Sequence, residues 1–592
     1  MLFGRPTASQ TNGLSLDPNA PVAYFCAEYG ISDAIPIYSG GLGVLAGDIV
    51  QENAERNHPF VSIGLLYKKG YFHQYVDCAG QNESPQLIDP LHVPLELMKG
   101  ADGETLLLEI PVHERTVYAQ AWRYKLANDH SLYLLDTDHW KNSEYDRAIT
   151  DQLYGGDQIK RIHQELVLAF GGFRLLNFLG ITPALYHMNE GHSAFLVFEL
   201  ISRAMKEEKL SFEDAKAKVK GMMIFTNHTL VPAGNDMFPH DMIRYYLGKY
   251  AYDTGIGIDN ILALGYNNVK PDTFSMTMAA MRAAGKSNAV SKLHATKAKD
   301  LWPEFSLEAV TNGVHLSAWV ANEWQELWDT HLPEWRAETA NPKVWKKIQS
   351  IPAAAIWQTH RELKGRMLDE VYGRTGIRLD EDTLTIVWAR RFATYKRPDL
   401  LFSDLERLKK LLFDEDTPIQ IIVAGKAHPA DVQGKQIIEH IDYLANYQLK
   451  HRAVFVDDYS ISLSRYLVSG ADIWLNTPVF GLEASGTSGM KASANGVIQC
   501  TVPDGWANEV DWYGLGYSLP IDHTGEEMYA LFEKKIIPTY YRLSPQGVPE
   551  LWVSMMKETI RTISPQFSST RMVNQYIHQM YLPLLKKQSV KP

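Results

Sequence analysis

The stretch "GLEASGTSGMKASANG", Gly481 to Gly496, sets Lys491 behind a run of small residues, with the carboxylate of Glu483 just upstream. Small residues let a backbone approach a ligand closely. A lysine placed there is a phosphate clamp, a covalent anchor or a solvated surface charge. A nucleotide phosphate loop needs Gly-Lys adjacent and Ser or Thr next. Here Met490 separates Gly489 from Lys491, and Ala492 follows. The spacing instead predicts a glycine turn opening a short helix, with its first amides available to an anion. Lys491 falls in that first turn, where a cation opposes the helix dipole. A neutral amine, or an imine beside a phosphate, relieves the conflict. Pyridoxal phosphate offers both an aldehyde and a phosphate, but spacing alone leaves the alternatives open.

Four further segments concentrate polar side chains. "WARRFATYKRPDLL" carries Arg390, Arg391, Lys396 and Arg397 after an apolar run, with no acidic residue before Asp399. Such a run is commonly a solvated basic face, yet forked arginines and a lysine also suit a phosphate dianion. "YSGGLGVLAGD" holds Gly41-x-Gly43-x-x-Ala46, but a dinucleotide fingerprint follows its strand directly and this one does not. It reads as a glycine loop facing an anion or as a structural turn. In "HMNEGH", His187 and His192 lie five apart, whereas helical zinc ligands lie four apart on one face, so no metal is expected. A polar cluster beyond a strand and a structural histidine are the remaining readings. "TNHTLVPAGNDMFP" puts His228 in a turn-rich loop, as a substrate contact or a turn residue.

Apolar runs must position these groups. "PVAYFCA", "FVSIGLLY", "ALYHMNEGH" and "KGMMIFTNHT" contain strand-like segments. "IKRIHQELVLAFGGFRLLNFLG" has helical periodicity and a cap at Gly180. From Leu316 to Gly376 the chain is helical and rich in tryptophan: Trp319, Trp324, Trp328, Trp335, Trp345 and Trp357. Helix packing is favoured there over sugar platforms. "LTIVWARRF", "IQIIVAGKAHP", "RAVFVDDY", "ADIWLNTP" and "GVIQCTV" then read as strands of a parallel, doubly wound sheet. Ligands of such sheets bind beyond the carboxyl ends of the strands, where Arg390 to Arg397 and Glu483 to Lys491 would gather. Two α/β lobes follow, with the cleft between them as the default site.

With 592 residues, 45% of them apolar and 21% charged, the chain suits a multidomain globular enzyme. A net charge of −11 argues against an extended nucleic-acid surface. Three cysteines without a CxxC pair disfavour a disulfide framework. The first residues lack a secretory pattern and no apolar run reaches membrane-span length, so a cytoplasmic location is expected.

Taken together, the motifs resemble those of the α-glucan phosphorylases, in their shorter bacterial and archaeal type. The resemblance runs in order through "AEYGISDAIPIYSGGLGVLAGD", "LYGGDQ", "LYHMNEGHSAF", "TNHT", "VSKLH", "TNGVHLSAW", "RRFATYKRP", "AGKAHP" and "EASGTSGMKASANG". It implies a two-lobed glycosyltransferase-B architecture: α/β lobes at 1–312 and 313–565, each Rossmann-like, and a helical segment at 566–592 packing back toward the first. It implies pyridoxal 5'-phosphate bound to Lys491 as a Schiff base, with Gly486, Thr487 and Ser488 on its phosphate and Arg390 near it. Arg391 and Lys396 are implied to bind inorganic phosphate, with Gly41 and Leu42 close by. Tyr395, Asn312, His192, Glu483, Ser485 and Gly486 would face the glucosyl unit, and His228 the glucan acceptor. Lys491, Arg391, Lys396 and His192 are the expected catalytic group.

The activity implied is reversible phosphorolysis of terminal α-1,4-glucosyl units of glycogen, starch or maltodextrin, with retention. The cofactor phosphate acts as acid and base toward inorganic phosphate. No nucleic acid, membrane or metal partner is implied, and a homo-oligomer is left open. Ala393-Thr394 replaces the His-Glu of other members, which leaves acceptor length and regulation open. The rival readings are a nucleotide-sugar glycosyltransferase of the same fold, an aminotransferase-like enzyme and a non-catalytic glucan-binding relative.

Overall fold

The computed structural model describes residues 16–77, 80–230 and 234–589. Most of the irregular lead-in expected at the start lies outside those residues, as do Cys78 and Val231 to Ala233 of the loop after His228.

Two sheets organise the chain. The first has ten strands. Its parallel part runs Glu308–Ala309, Lys286–Ala289, Met223–Asn227, Leu185–Asn189, Val22–Phe25, Phe60–Leu65 and Ser131–Asp136. An antiparallel extension, Arg115–Lys125 with Leu107–Val112 and Glu96–Leu97, continues past Ser131–Asp136. The first lobe is thus a doubly wound parallel sheet, as expected, with an antiparallel extension at one edge. The second sheet has six strands, all parallel: Ala453–Val456, Ile419–Ala424, Leu384–Ala389, Ile473–Asn476, Ile498–Thr501 and Gly516–Ser518. The strand-like runs read from the sequence all appear, because fully buried parallel strands need continuous apolar side chains.

Both sheets wind outward from their first strand in two directions. The reversal falls between Val22–Phe25 and Leu185–Asn189 in one sheet, and between Leu384–Ala389 and Ile473–Asn476 in the other. A crevice opens at such a switch point, beyond the carboxyl ends of the strands. The segments leaving those four strands carry Glu28, Glu190 to His192, Arg390 to Lys396, and Asn476 to Lys491.

One apolar core extends from Val22 to Val310 and takes in Met572, Tyr576, Met580, Tyr581 and Leu584 from the carboxyl-terminal helices. The other extends from Val314 to Phe567, with Val44 added from the first lobe. The chain's two crossings between these cores are tied together. Val314 N donates to Phe567 O at 2.8 Å and Ser569 N to Val314 O at 2.8 Å. All six tryptophans from Trp319 to Trp357 are buried in the second core, as helix packing requires. The expected helix over 159–180 forms with a π turn at Val167–Gly171 and ends at Gly180 in a left-handed conformation.

Candidate active site

The helix Ser488–Ala494 follows a glycine turn, as the spacing predicts. Gly486 has φ +74°, a conformation that favours glycine. The turn is braced by Asp504, a residue the sequence did not single out. Its carboxylate accepts from Gly481 N at 2.9 Å, Glu483 N at 3.1 Å and Gly505 N at 2.8 Å.

Lys491 is the fourth residue of that seven-residue helix and is buried. Its Nζ lies 3.6 Å from the centroid of the Trp319 ring. Among the described residues it makes no side-chain hydrogen bond and no ion pair. Burial lowers its pKa to about 8, against a raising influence from Asp48 and a lowering one from Arg465. Asp48 sits on the helix Gly41–Glu55 of the opposite lobe. One of its oxygens accepts from Trp319 Nε1 at 2.8 Å, and the other, Oδ2, has no partner among the described residues. Asp48 ends the quoted "YSGGLGVLAGD" motif and stands seven residues, two helical turns, after Gly41. Its face was legible, but its partner was not.

The basic run has the counter-charge that its own sequence lacks. Arg390 Nη2 and Lys396 Nζ both donate to Glu483 Oε2, at 2.7 and 2.8 Å. Burial pushes the Glu483 carboxyl up, but the two cations outweigh it and hold it at about 2. Arg390 also bonds Asn476. In this structure Glu483, expected to meet sugar hydroxyls, is the centre of an ion triad. Arg391 differs: it is surrounded by protein yet open to solvent, as at the floor of a cleft, and no carboxylate lies at ion-pair distance among the described residues. Burial lowers its pKa, but Tyr395, Tyr71 and Glu28 more than offset that, and Tyr395 hydrogen-bonds it. Tyr395 also lies 4.8 Å under Lys396 Nζ, measured to the ring centroid.

Glu28 links Arg391 to the glycine motif. Its carboxylate accepts from Ser39 N at 2.6 Å and from Tyr154 Oη at 2.7 Å. The glycines expected as a loop instead open the helix Gly41–Glu55, with Gly41 exposed and Leu42 half-buried at its start. Small residues are needed because this helix presses on the chain before it: a Cβ on Gly47 would fall 2.3 Å from Gly30 O.

His192 is buried, and Tyr154 stands beside it with ring centroids 6.1 Å apart. His228 bonds Asn189 through its ring, and its N–H donates to Glu190 Oε2 at 2.8 Å. Burial takes the pKa of each imidazole to about 3 and raises that of Glu190 to about 7. His187, the other histidine of the motif, bonds Tyr581 and Thr226, away from His192's partners. Asn312 and Ser485 come close through Ser291, whose Oγ donates to Ala484 O at 2.6 Å, and through the Asn312 N–Val290 O bond. His192 Nδ1, Asn312 Oδ1 and Ser485 Oγ are all buried without a partner among the described residues. Buried polar atoms are rarely left so unless a ligand or water completes them.

Contacts thus link several of the sequence candidates between the two switch points: Asp48 joins Trp319 to Lys491, Glu28 joins Arg391 to Ser39 and Tyr154, and Tyr154 stands beside His192. Residues 265–514 match the family profile described as Carbohydrate phosphorylase. A maltodextrin phosphorylase of Thermococcus litoralis is 40% identical to the chain, over 95% of it and 70% of the relative. The chain belongs to the carbohydrate phosphorylase family. Glycogen phosphorylases of Aquifex aeolicus and Mycobacterium tuberculosis are 36% and 35% identical. These alignments take in 96% and 95% of the chain and 87% and 71% of the two relatives. The two-lobed glycosyltransferase-B architecture follows from that membership together with the paired parallel sheets. In this phosphorylase family member, Glu28, Asp48 and Asp504 receive no role from the sequence, and Trp319 reads there only as helix packing. Each acts through a partner far along the chain, so no local pattern exposes it.

Proposed function

We propose that the chain catalyses reversible phosphorolysis of terminal α-1,4-linked glucosyl units, releasing glucose 1-phosphate with retained configuration. The observation that carries this reading is the buried Lys491 amine, without an ion pair among the described residues, beyond the carboxyl ends of the same two paired strands as the solvent-open Arg391. Pyridoxal phosphate fits the residues present. A buried amine with a pKa near neutrality is a competent imine former, so Lys491 would hold the cofactor covalently. Gly486, Thr487 and Ser488 would supply backbone donors to its phosphate, with Arg390 as the nearby cation. When bound, the cofactor supplies a phosphate group able to exchange a proton with inorganic phosphate.

The chain's own groups do the rest. Arg391 receives inorganic phosphate, and Lys396 adds a second positive charge to offset it. Glu483 balances Arg390 and Lys396 until substrates arrive, then offers an acceptor to a sugar hydroxyl. His192, Asn312 and Ser485 satisfy their unpartnered atoms on other hydroxyls of the same unit, with Tyr395 beside it, Gly41 and Leu42 near the phosphate, and His228 toward the acceptor. Both lobes contribute, so closing the cleft excludes water and leaves phosphate to take the glucosyl unit. Glycogen, starch and maltodextrin all present the required chain end. Among the described residues no helix is long and apolar enough to cross a membrane, which is compatible with work in the cytoplasm.

The test is to reduce the purified holoprotein with borohydride and map the labelled peptide, then assay glucose 1-phosphate release from maltodextrin and phosphate. Label on Lys491 with phosphate-dependent release is expected. An unlabelled Lys491 defeats the cofactor assignment and favours a nucleotide-sugar transferase. Label without phosphorolysis defeats the substrate assignment.

A further inference from the structure

Behind His192 stands a partly buried charge cluster that the proposed reaction does not use. Arg161, on the helix Gln158–Leu166, donates to Asp236 Oδ2 from Nε at 3.0 Å and Nη2 at 2.9 Å. The same Nη2 lies 3.1 Å from His192 Nε2. Asp236 Oδ2 itself is 3.6 Å from that ring nitrogen, beyond a hydrogen bond. Glu165 Oε1 lies 3.9 Å from Arg161 Nε, and neither oxygen of this buried carboxyl has a hydrogen-bond partner among the described residues. Glu165 faces Asp236, and burial, reinforced by that neighbour, raises its pKa well above the usual carboxylate range. Burial pushes the Asp236 carboxyl up, but Arg161 and His192 outweigh it and hold it below the usual carboxylate range.

A guanidinium has only donors. Nε2 of His192 must therefore accept, because a proton there would set N–H against N–H. With the ring neutral, the proton resides on Nδ1, the atom left buried without a partner. A donor fixed in one place, with its acceptor missing, is a feature of a binding site waiting for a ligand oxygen. The charged groups facing the ring are Arg161 and Asp236, with the Tyr154 phenol beside them. None of them accepts from Nδ1.

We propose that Arg161, held by Asp236, is a positioning residue that locks His192 in its Nδ1–H tautomer, so that the sugar contact already assigned to His192 can only be a donor. The second half rests on the phosphorolysis reading; the first does not. Asp236 aims the guanidinium through the two bonds that Arg161 makes to its Oδ2. The device separates recognition from pH: a histidine that cannot charge donates equally well across the neutral range.

Two measurements test this. Nitrogen-15 shifts of histidine-labelled, unaltered protein report the tautomer without any variant or turnover. The expected result is a His192 resonance, assigned by its loss in His192→Asn, with protonated Nδ1 and unprotonated Nε2 from pH 5 to 8. A protonated Nε2, or titration in that range, overturns the lock. In kinetics, Arg161→Met should raise KM for maltodextrin about ten-fold, one hydrogen bond's worth, with a smaller change in kcat. It should also introduce an inflexion near the ordinary histidine pKa of about 6.5, and Arg161→Lys should restore part of the loss. Unchanged KM and pH profile in a folded Arg161→Met protein defeat the proposal. If unaltered enzyme releases no glucose 1-phosphate, the phosphorolysis reading fails while the tautomer result still stands or falls alone.

Discussion

At the scale of single residues, two carboxylates decide the electrostatics. Asp48 is the main group favouring the charged form of Lys491, against burial. Asp48→Asn should therefore move the Lys491 pKa below about 8, seen as an acid shift in the pH midpoint for acylation of the cofactor-free amine. An unchanged midpoint would mean that burial alone sets it. Glu483 is the other. Its folded pKa of about 2 lies below the unfolded value of about 4.3. Its contribution is full above that unfolded value and is lost as pH falls toward about 2. Glu483→Gln leaves Arg390 and Lys396 without their counter-charge, a loss of about 3 kcal/mol for a buried cluster. The variant should melt earlier at pH 6, and the gap to unaltered protein should narrow at pH 3. Lys491 and Arg391 were legible because the residues around them are unusual in themselves. The Glu483–Lys396 pair, 87 residues apart, was not, since only the fold makes them neighbours.

At the scale of elements, the strands were the easiest features to read. Each is a short apolar run whose end bears polar residues, and the doubly wound order then gathers those ends at one edge. The glycine motif was harder, because glycines that open a helix and glycines that form a loop look alike until packing is seen. Gly425, which ends the strand Ile419–Ala424, shows how tightly the edge is built. It has φ +150°, and a Cβ there would fall 1.9 Å from Arg390 O. Gly425→Ala must push the Arg390 segment outward or distort the strand end. The expected cost is about 3 kcal/mol, in the range of severe backbone and packing conflicts. Activity should fall further than stability accounts for, because Arg390 and Arg391 move with that segment. Thermal unfolding and a phosphate KM measured on the same preparation would check this; normal values in both would show that the strand end yields freely.

At the scale of the whole molecule, the site exists only while the two lobes meet. Lys491, Arg391 and Glu483 come from one lobe; Asp48, Glu28 and His192 come from the other. No register for that meeting was legible in the sequence, because several of the contacts are single polar atoms on turns. Asp33, at the tip between the strands Tyr29–Ser32 and Ile35–Ile37, is the clearest of them. Its carboxylate accepts from Ile461 N at 3.2 Å and Ser462 N at 2.7 Å, at the amino end of the helix Ile461–Gly470 in the second lobe. Tyr38 Oη donates to Asp33 at 3.0 Å and accepts from Ile461 N at 2.9 Å. A carboxylate on these amides acts as a helix cap supplied from the opposite lobe, worth about 1 kcal/mol. The capped helix also carries Arg465, 5.8 Å from the Trp319 ring centroid. Asp33→Ala should therefore loosen lobe closure without touching the reacting groups. KM for both phosphate and glucan should rise several-fold together, kcat should change less, and borohydride labelling of Lys491 should be undiminished. Small-angle scattering should show a larger radius of gyration. A rise in KM for only one substrate, with scattering unchanged, would place Asp33 in a binding subsite and remove it from the lobe contact.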